Sequence, residues 1–261
     1  MTAKTRLLLV NSAVAFAIAL LLMITVHEFA HALAGLALGL RPMVFPNQVT
    51  YGVAGTTGQQ LVTAVMGPLV SLVVGVALLA AVRTVRGFWG LLLFWFATLS
   101  VQECTGYLMT GPFFAAGDIG QALHLLSAPV WAGALVLVVG ALGTVALGRI
   151  ATRRLMAMTS AGVPDLSTQL RALGLFAWLL GSAAAILISV PDPRSVLTPI
   201  GLFELLGALT SGIFVLAIRF FMGRGHVPQL GLSVGWPVVG IVLLVAVAVA
   251  RHFVLGPGLR L

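Results

Sequence analysis

Residues 7–39 read LLLVNSAVAFAIALLLMITVHEFAHALAGLALG, and this stretch decides the fold. About 20 apolar residues cross a bilayer as a helix. The run is longer than one perpendicular crossing needs, so it must tilt, bend or protrude. Within it stands His27-Glu28-Phe29-Ala30-His31, an HExxH pattern. On a helix the two histidines lie at i and i+4, on one face and about one turn apart. Two neutral imidazoles so placed can bind one Zn²⁺, and Glu28 beside the first is a candidate general base for hydrolysis. Polar side chains at membrane depth are costly and are normally retained for a task.

The rest of the composition agrees with this stretch. Of 261 residues, 60% are hydrophobic and 8% charged, against about 25% charged in a soluble domain. The chain therefore reads as an all-α integral membrane protein. A formal charge of +8 could suggest nucleic acid. The cations are scattered at the ends of apolar segments, which fits topology signals and the lipid bilayer, so no nucleic-acid partner is expected. Cys104 is the one cysteine, so no internal disulfide is possible. Lys4 and Arg6 ahead of an apolar stretch resemble a signal peptide. The run is too long for a signal core, and cleavage near Ala34 would discard the HExxH.

Seven candidate spans follow from hydropathy: residues 7–39, 58–82, 88–108, 130–147, 168–190, 196–221 and 236–254. The expected fold is a multi-pass bundle of about six to seven transmembrane helices. Residues 41–57 are the least helical part. Pro42, Pro46, Gly52 and Gly55 surround the β-favouring Val49-Thr50-Tyr51, which suggests a short hairpin, a re-entrant loop or an ordinary surface loop. With the amino terminus in the cytoplasm, ten lysines and arginines fall inside and four, Arg41, Arg194, Arg251 and Arg260, outside. The positive-inside rule then favours N-in. His27 lies roughly 30 Å along the helix from Arg6, which would put the HExxH in the outer half.

Six acids are present in the chain. Asp165 and Asp192 stand beside prolines in polar connections and read as turn residues. Glu28, Glu103, Asp118 and Glu204 lie in or against apolar segments. A catalytic zinc needs three protein ligands. His27 and His31 supply two. Asp118 is the preferred third, with Glu103 as the alternative, and Asp118 could instead cap a helix. Glu103 could also orient a metal-bound histidine. Glu204 could line a polar cavity. His124 is a weaker ligand candidate, and His226 and His252 read as interfacial. Gly35 and Gly39 form a small-xxx-small pattern of the helix-packing kind.

Three elements in order resemble the site-2 protease family of intramembrane zinc metalloproteases. They are the HExxH of residues 27–31, Met66-Gly67-Pro68-Leu69-Val70-Ser71, and Asp118-Ile119-Gly120-Gln121-Ala122-Leu123. The second is similar to the family's A-G-P-x-x-N pattern and the third to its D-G-G-R-x-L segment. The chain departs from them at Ser71 and Ile119. The resemblance covers about residues 7–126. It implies a three-helix catalytic core within residues 1–128, with residues 129–261 adding helices of unassigned role. It implies zinc held by His27, His31 and Asp118. It further implies regulated intramembrane proteolysis of another membrane protein, such as an anti-sigma factor or a signal-peptide remnant, in a prokaryotic cell membrane. It also implies a site nearer the cytoplasm, opposite to the charge count.

The expected activity is that of an intramembrane zinc-dependent endopeptidase. The scissile segment would be held as an added β-strand along Val49, Thr50, Tyr51, Gly52 and Val53. The rival reading is a non-proteolytic metal-binding membrane protein, such as a transporter or sensor. Glu103 and Glu204 would fit an ion path as well as a water cavity. Paired repeats of the transporter kind are not visible. The oligomeric state is not legible.

Overall fold

A computed structural model of the chain describes residues 2–81, 85–115, 117–159, 166–189, 206–222 and 231–261. The helices are α1 (Ala3–Ala37), α2 (Thr57–Ala81), α3 (Gly87–Thr110), α4 (Asp118–Leu125), α5 (Val130–Met158), α6 (Leu166–Ser189), α7 (Leu206–Phe221) and α8 (Val238–Leu255). Three short strands, β1 (Pro42–Phe45), β2 (Gln48–Tyr51) and β3 (Leu259–Arg260), form one sheet of order β2-β1-β3. Among the described residues, α1, α2, α5, α6 and α8 are long and apolar enough to cross a membrane. The fold is therefore an α-helical bundle, with helices of the length and apolarity that a membrane span needs and a small sheet at one place. α3 is 24 residues long, but Gln102 and Glu103 near its end make it less apolar.

α1 is the central helix. Residues 15–21 are buried on every side, with Ala15, Ala17 and Ala19 letting neighbours approach closely. It packs against both α2 and α3, which also pack on each other, and against α6 and α8. Buried polar groups tie this core together. Asn11 Nδ2 donates to the Gly235 carbonyl at 2.8 Å. Ser12 Oγ donates to the Leu173 carbonyl at 2.7 Å and accepts from Trp95 Nε1 at 2.9 Å. Leu173 lies in a π-helical stretch of α6, Arg171–Phe176. Interhelical bonds of this kind replace the hydrophobic driving force that is missing between helices in lipid.

α5 runs eleven residues past its expected end at 147, through Arg149, Arg153 and Arg154. Hydropathy stops at the first charge. The helix does not, because Ala151, Thr152, Leu155 and Met156 still bury one face. The expected span at 196–221 is described only from residue 206, where α7 contains a 3₁₀ segment, Ile213–Ala217. Arg251, counted on the outer side in the charge tally, is 4% exposed within α8 and hydrogen-bonds to α1 and to the hairpin.

α1 ends where Gly39 takes φ +75° and the Leu40 N–H reaches back to the Gly35 carbonyl. A glycine in the left-handed region stops a helix in this way at no steric cost. The chain then turns into the β1–β2 hairpin, whose two-residue turn is Pro46 and Asn47. Val44 is fully buried against Ala32 of α1 and Leu255 of α8. The Tyr51 ring lies directly on Gly35, where any Cβ would collide with it, and its hydroxyl donates to the His31 carbonyl at 3.3 Å. The Gly35 and Gly39 pattern thus serves a tyrosine and a turn, rather than a second helix. The region expected as a hairpin, re-entrant loop or surface loop is a hairpin laid along the second half of α1.

In this ladder Gly52 N–H bonds the Arg41 carbonyl, and Leu261 N–H bonds Pro42 on the far side of β1. Antiparallel residues alternate between facing and facing away from a given neighbour. The backbone groups of Val49 and Tyr51 therefore point away from β1. Among the described residues no strand pairs with that edge. The amides of Gly52 and Val53 are already committed to Arg41 and Leu40. The free edge is thus shorter than the expected residues 49–53.

Candidate metal centre

His27 and His31 project from one face of α1, as their spacing requires. Their Nε2 atoms lie 3.0 Å apart. Asp118 Oδ2 meets both, at 2.9 Å from His27 and 3.3 Å from His31. A tetrahedral zinc with bonds of about 2.0–2.2 Å needs ligand atoms about 3.3 Å apart. The observed spacings are close to that. The donor chemistry fits as well. His31 Nδ1–H donates to the Thr63 carbonyl at 2.7 Å, so its Nε2 carries a lone pair. His27 Nδ1 is 3.2 Å from Ser71 Oγ, which can accept its proton in the same way. With both rings neutral, two imidazole lone pairs would converge beside a carboxylate, a donor set that could hold a metal ion.

The outer partners come from one stripe of α2. Thr63, Gly67 and Ser71 are spaced four apart and all are buried. Thr63 and Ser71 hold the two rings. Gly67 between them leaves room at the centre. A Cβ there would stand 2.7 Å from His27 Nε2, 2.6 Å from His31 Cε1 and closer still to His31 Nε2. Pro68 follows inside the helix and has no N–H to offer Ala64. Ala64 lines the cavity beside the site.

Asp118, 91 positions beyond His27, arrives through close backbone contacts. It is the first residue of α4, preceded by Gly117 at φ +90°. Gly111, at the end of α3, would clash with Ile119 and Gly120 if it carried a Cβ. Gly120 in turn lies against the Phe114 carbonyl. These contacts fix where α4 begins. The carboxylate does not cap its helix; Gly117 holds the cap position without a side-chain bond.

Glu28 is 8% exposed and opens on the cavity beside the trio. The cavity has a volume of about 480 Å³ and is also lined by Val49, Tyr51, Tyr107 and Gln121. The Tyr107 ring stacks on the His27 ring at 5.6 Å, with 15° between planes. Of the expected strand residues, Val49, Tyr51 and Val53 line the cavity, whereas Thr50 and Gly52 do not.

Glu103 supplies no atom to the trio, which among the described residues consists of His27, His31 and Asp118. It does not orient a histidine either, because Ser71 and Thr63 occupy those positions. Glu204 and His226 lie outside the described residues. His124 lines a different cavity, and Cys104 is a buried packing residue. Sequence reasoning did not single out Thr63 or Tyr107. The fourfold spacing of Thr63, Gly67 and Ser71 was the available signal for the first; Tyr107 gave none. No protein-family model matches this chain, and no curated protein or solved structure is detectably similar to it.

Proposed function

We propose that this protein is an intramembrane zinc-dependent endopeptidase that cleaves a transmembrane or membrane-proximal segment of another membrane protein. The observation that carries this reading is the convergence of His27, His31 and Asp118 on one cavity that also exposes Glu28. A pure metal store or transport site has no need of a free carboxylate beside its ligands. His27, His31 and Asp118 would hold the zinc. When bound there, the ion supplies a Lewis acid and lowers the pKa of water. Glu28 lies next to His27 on the same turn of α1 and is not itself a ligand. Its role is to take the proton from the attacking water and deliver it to the leaving amine.

The free edge of β2 supports the substrate side of this reading. A helix hides its carbonyls in hydrogen bonds, so a scissile segment has to unwind. The outward N–H and C=O groups of Val49 and Tyr51 can pair with an unwound segment as an added strand. Proline in place of Val49 removes one outward N–H and leaves the β1–β2 pairing intact, since that amide does not face β1. The variant is expected to raise KM about two- to tenfold, the worth of one hydrogen bond, with unchanged zinc content. Steady-state cleavage of a peptide checks this.

The function itself is tested with purified protein in detergent and a fluorogenic transmembrane peptide. Cleavage that a chelator abolishes and added zinc restores is the expected result. Cleavage indifferent to chelation contradicts the reading. So does zinc-dependent cation flux in proteoliposomes without any cleavage.

A further inference from the structure

Arg251 has no part in the candidate metal centre, yet it is among the most buried charged residues described. It opens a π-helical turn at the end of α8, Arg251–Leu255. Its Nη1 donates to the Leu21 carbonyl at 3.1 Å and to Thr25 Oγ1 at 2.6 Å, both on α1. Its Nη2 donates to Asn47 Oδ1 at 2.6 Å. Asn47 is the second turn residue of the hairpin and lines the cavity. One guanidinium thus ties the last span to the HExxH helix, one turn before Glu28, and to the tip of the hairpin. The planar fork of arginine suits this two-ended grip, and a lysine ammonium does not.

The same end of the chain holds the hairpin a second time. After Gly258, at φ +89°, β3 pairs with β1 through Val44↔Leu259 and Met43↔Arg260. Leu255 packs on Val44. The strand taken by β3 is the side of β1 away from β2, so the edge over the cavity stays open. The last span therefore grips the back and the tip of the hairpin and leaves its front free.

We propose that Arg251 is a positioning residue. Through Asn47 it sets the pose of the free β2 edge over the metal centre, and the last span acts as a brace for peptide binding. The substrate part of this inference rests on the reading of β2 as the strand that receives the peptide. It predicts an effect on KM, not on zinc or on the chemical step, because the bonds of Arg251 to Leu21, Thr25 and Asn47 involve none of the three ligands and not Glu28.

The test compares Arg251→Lys, Asn47→Ala and the double variant. Asn47 does not have a positive φ, so alanine can keep the turn. Three quantities are read: amide hydrogen exchange of residues 48–51, zinc content, and kcat and KM for a transmembrane peptide. Each single variant is expected to speed exchange at the hairpin and raise KM about tenfold, with kcat within about twofold and zinc unchanged. The double variant should be no worse than the more affected single one, since both remove the same Arg251–Asn47 bond. Additive effects, or hairpin exchange equal to wild type, overturn the proposal. If Arg251→Lys does not fold, Asn47→Ala carries the test alone, because it leaves the grip on α1 intact. If the wild-type protein cleaves nothing, the endopeptidase reading falls, and hairpin exchange still decides whether Arg251 is the brace.

Discussion

Glutamine in place of Glu28 is expected to lower kcat by about 10²–10⁴-fold, the usual worth of a general acid–base group, while the protein keeps its zinc. The substitution is nearly isosteric. Glu28 supplies none of the three atoms of the candidate metal site, so removing its charge leaves His27, His31 and Asp118 in place. What is lost is the one carboxylate that, among the described residues, opens on the cavity beside them without being a ligand. Single-turnover cleavage and metal analysis on the same preparation check both halves. An active Glu28→Gln enzyme would remove the role assigned to this residue.

The second large effect is expected at a residue that has no side chain. Alanine at Gly67 should empty the metal centre. Its Cβ would enter the space between the two Nε2 atoms, 2.7 Å from that of His27. Neither ring can retreat easily, because Ser71 and Thr63 hold the opposite nitrogens. Zinc is expected to fall from about one per chain to a small fraction of that, since all three ligands of a catalytic site must reach the ion. Alanine is a better helix former than glycine by about 1 kcal/mol. Helix content should therefore be equal or higher while the metal is lost. That combination separates damage to the site from damage to the fold. Full zinc occupancy in Gly67→Ala would mean that the ion, if any, sits elsewhere.

Other residues were legible to very different degrees. His27 and His31 were readable because helical periodicity alone brings i and i+4 together. Helix α1 was readable because 33 consecutive residues carry almost no charge. The hairpin was suggested by Pro42, Pro46 and Gly52 around β-branched residues, but its place against α1 depended on Tyr51 fitting over Gly35, a contact no local pattern announces. Asp118 could be nominated from the scarcity of acids. Its arrival at the histidines depends on Gly111, Gly117 and Gly120, each of which allows a close approach or a turn. Glu103 was equally eligible by composition and lies in the core helix α3, yet only geometry separates it from Asp118. The role of Arg251 was not legible, because hydropathy counts an arginine near a helix end only as a topology charge. It is bonded to residues more than 200 positions away, and such pairing leaves no mark in the sequence.

The gain from the three-dimensional arrangement is largest on α2. In sequence Gly67-Pro68 and Ser71 are parts of a resemblance. In space Thr63, Gly67 and Ser71 form a strip that orients one imidazole, clears the centre and orients the other. The candidate metal site is therefore built by two helices as much as by the HExxH alone, and α4 closes it with one carboxylate.

The most direct test of this account is the zinc content of the purified protein beside Asp118→Ala and Glu103→Ala. About one zinc is expected in the wild type and in Glu103→Ala, and a near-complete loss in Asp118→Ala, as follows when one of three protein ligands is removed. Retention of zinc in Asp118→Ala with loss in Glu103→Ala would contradict it.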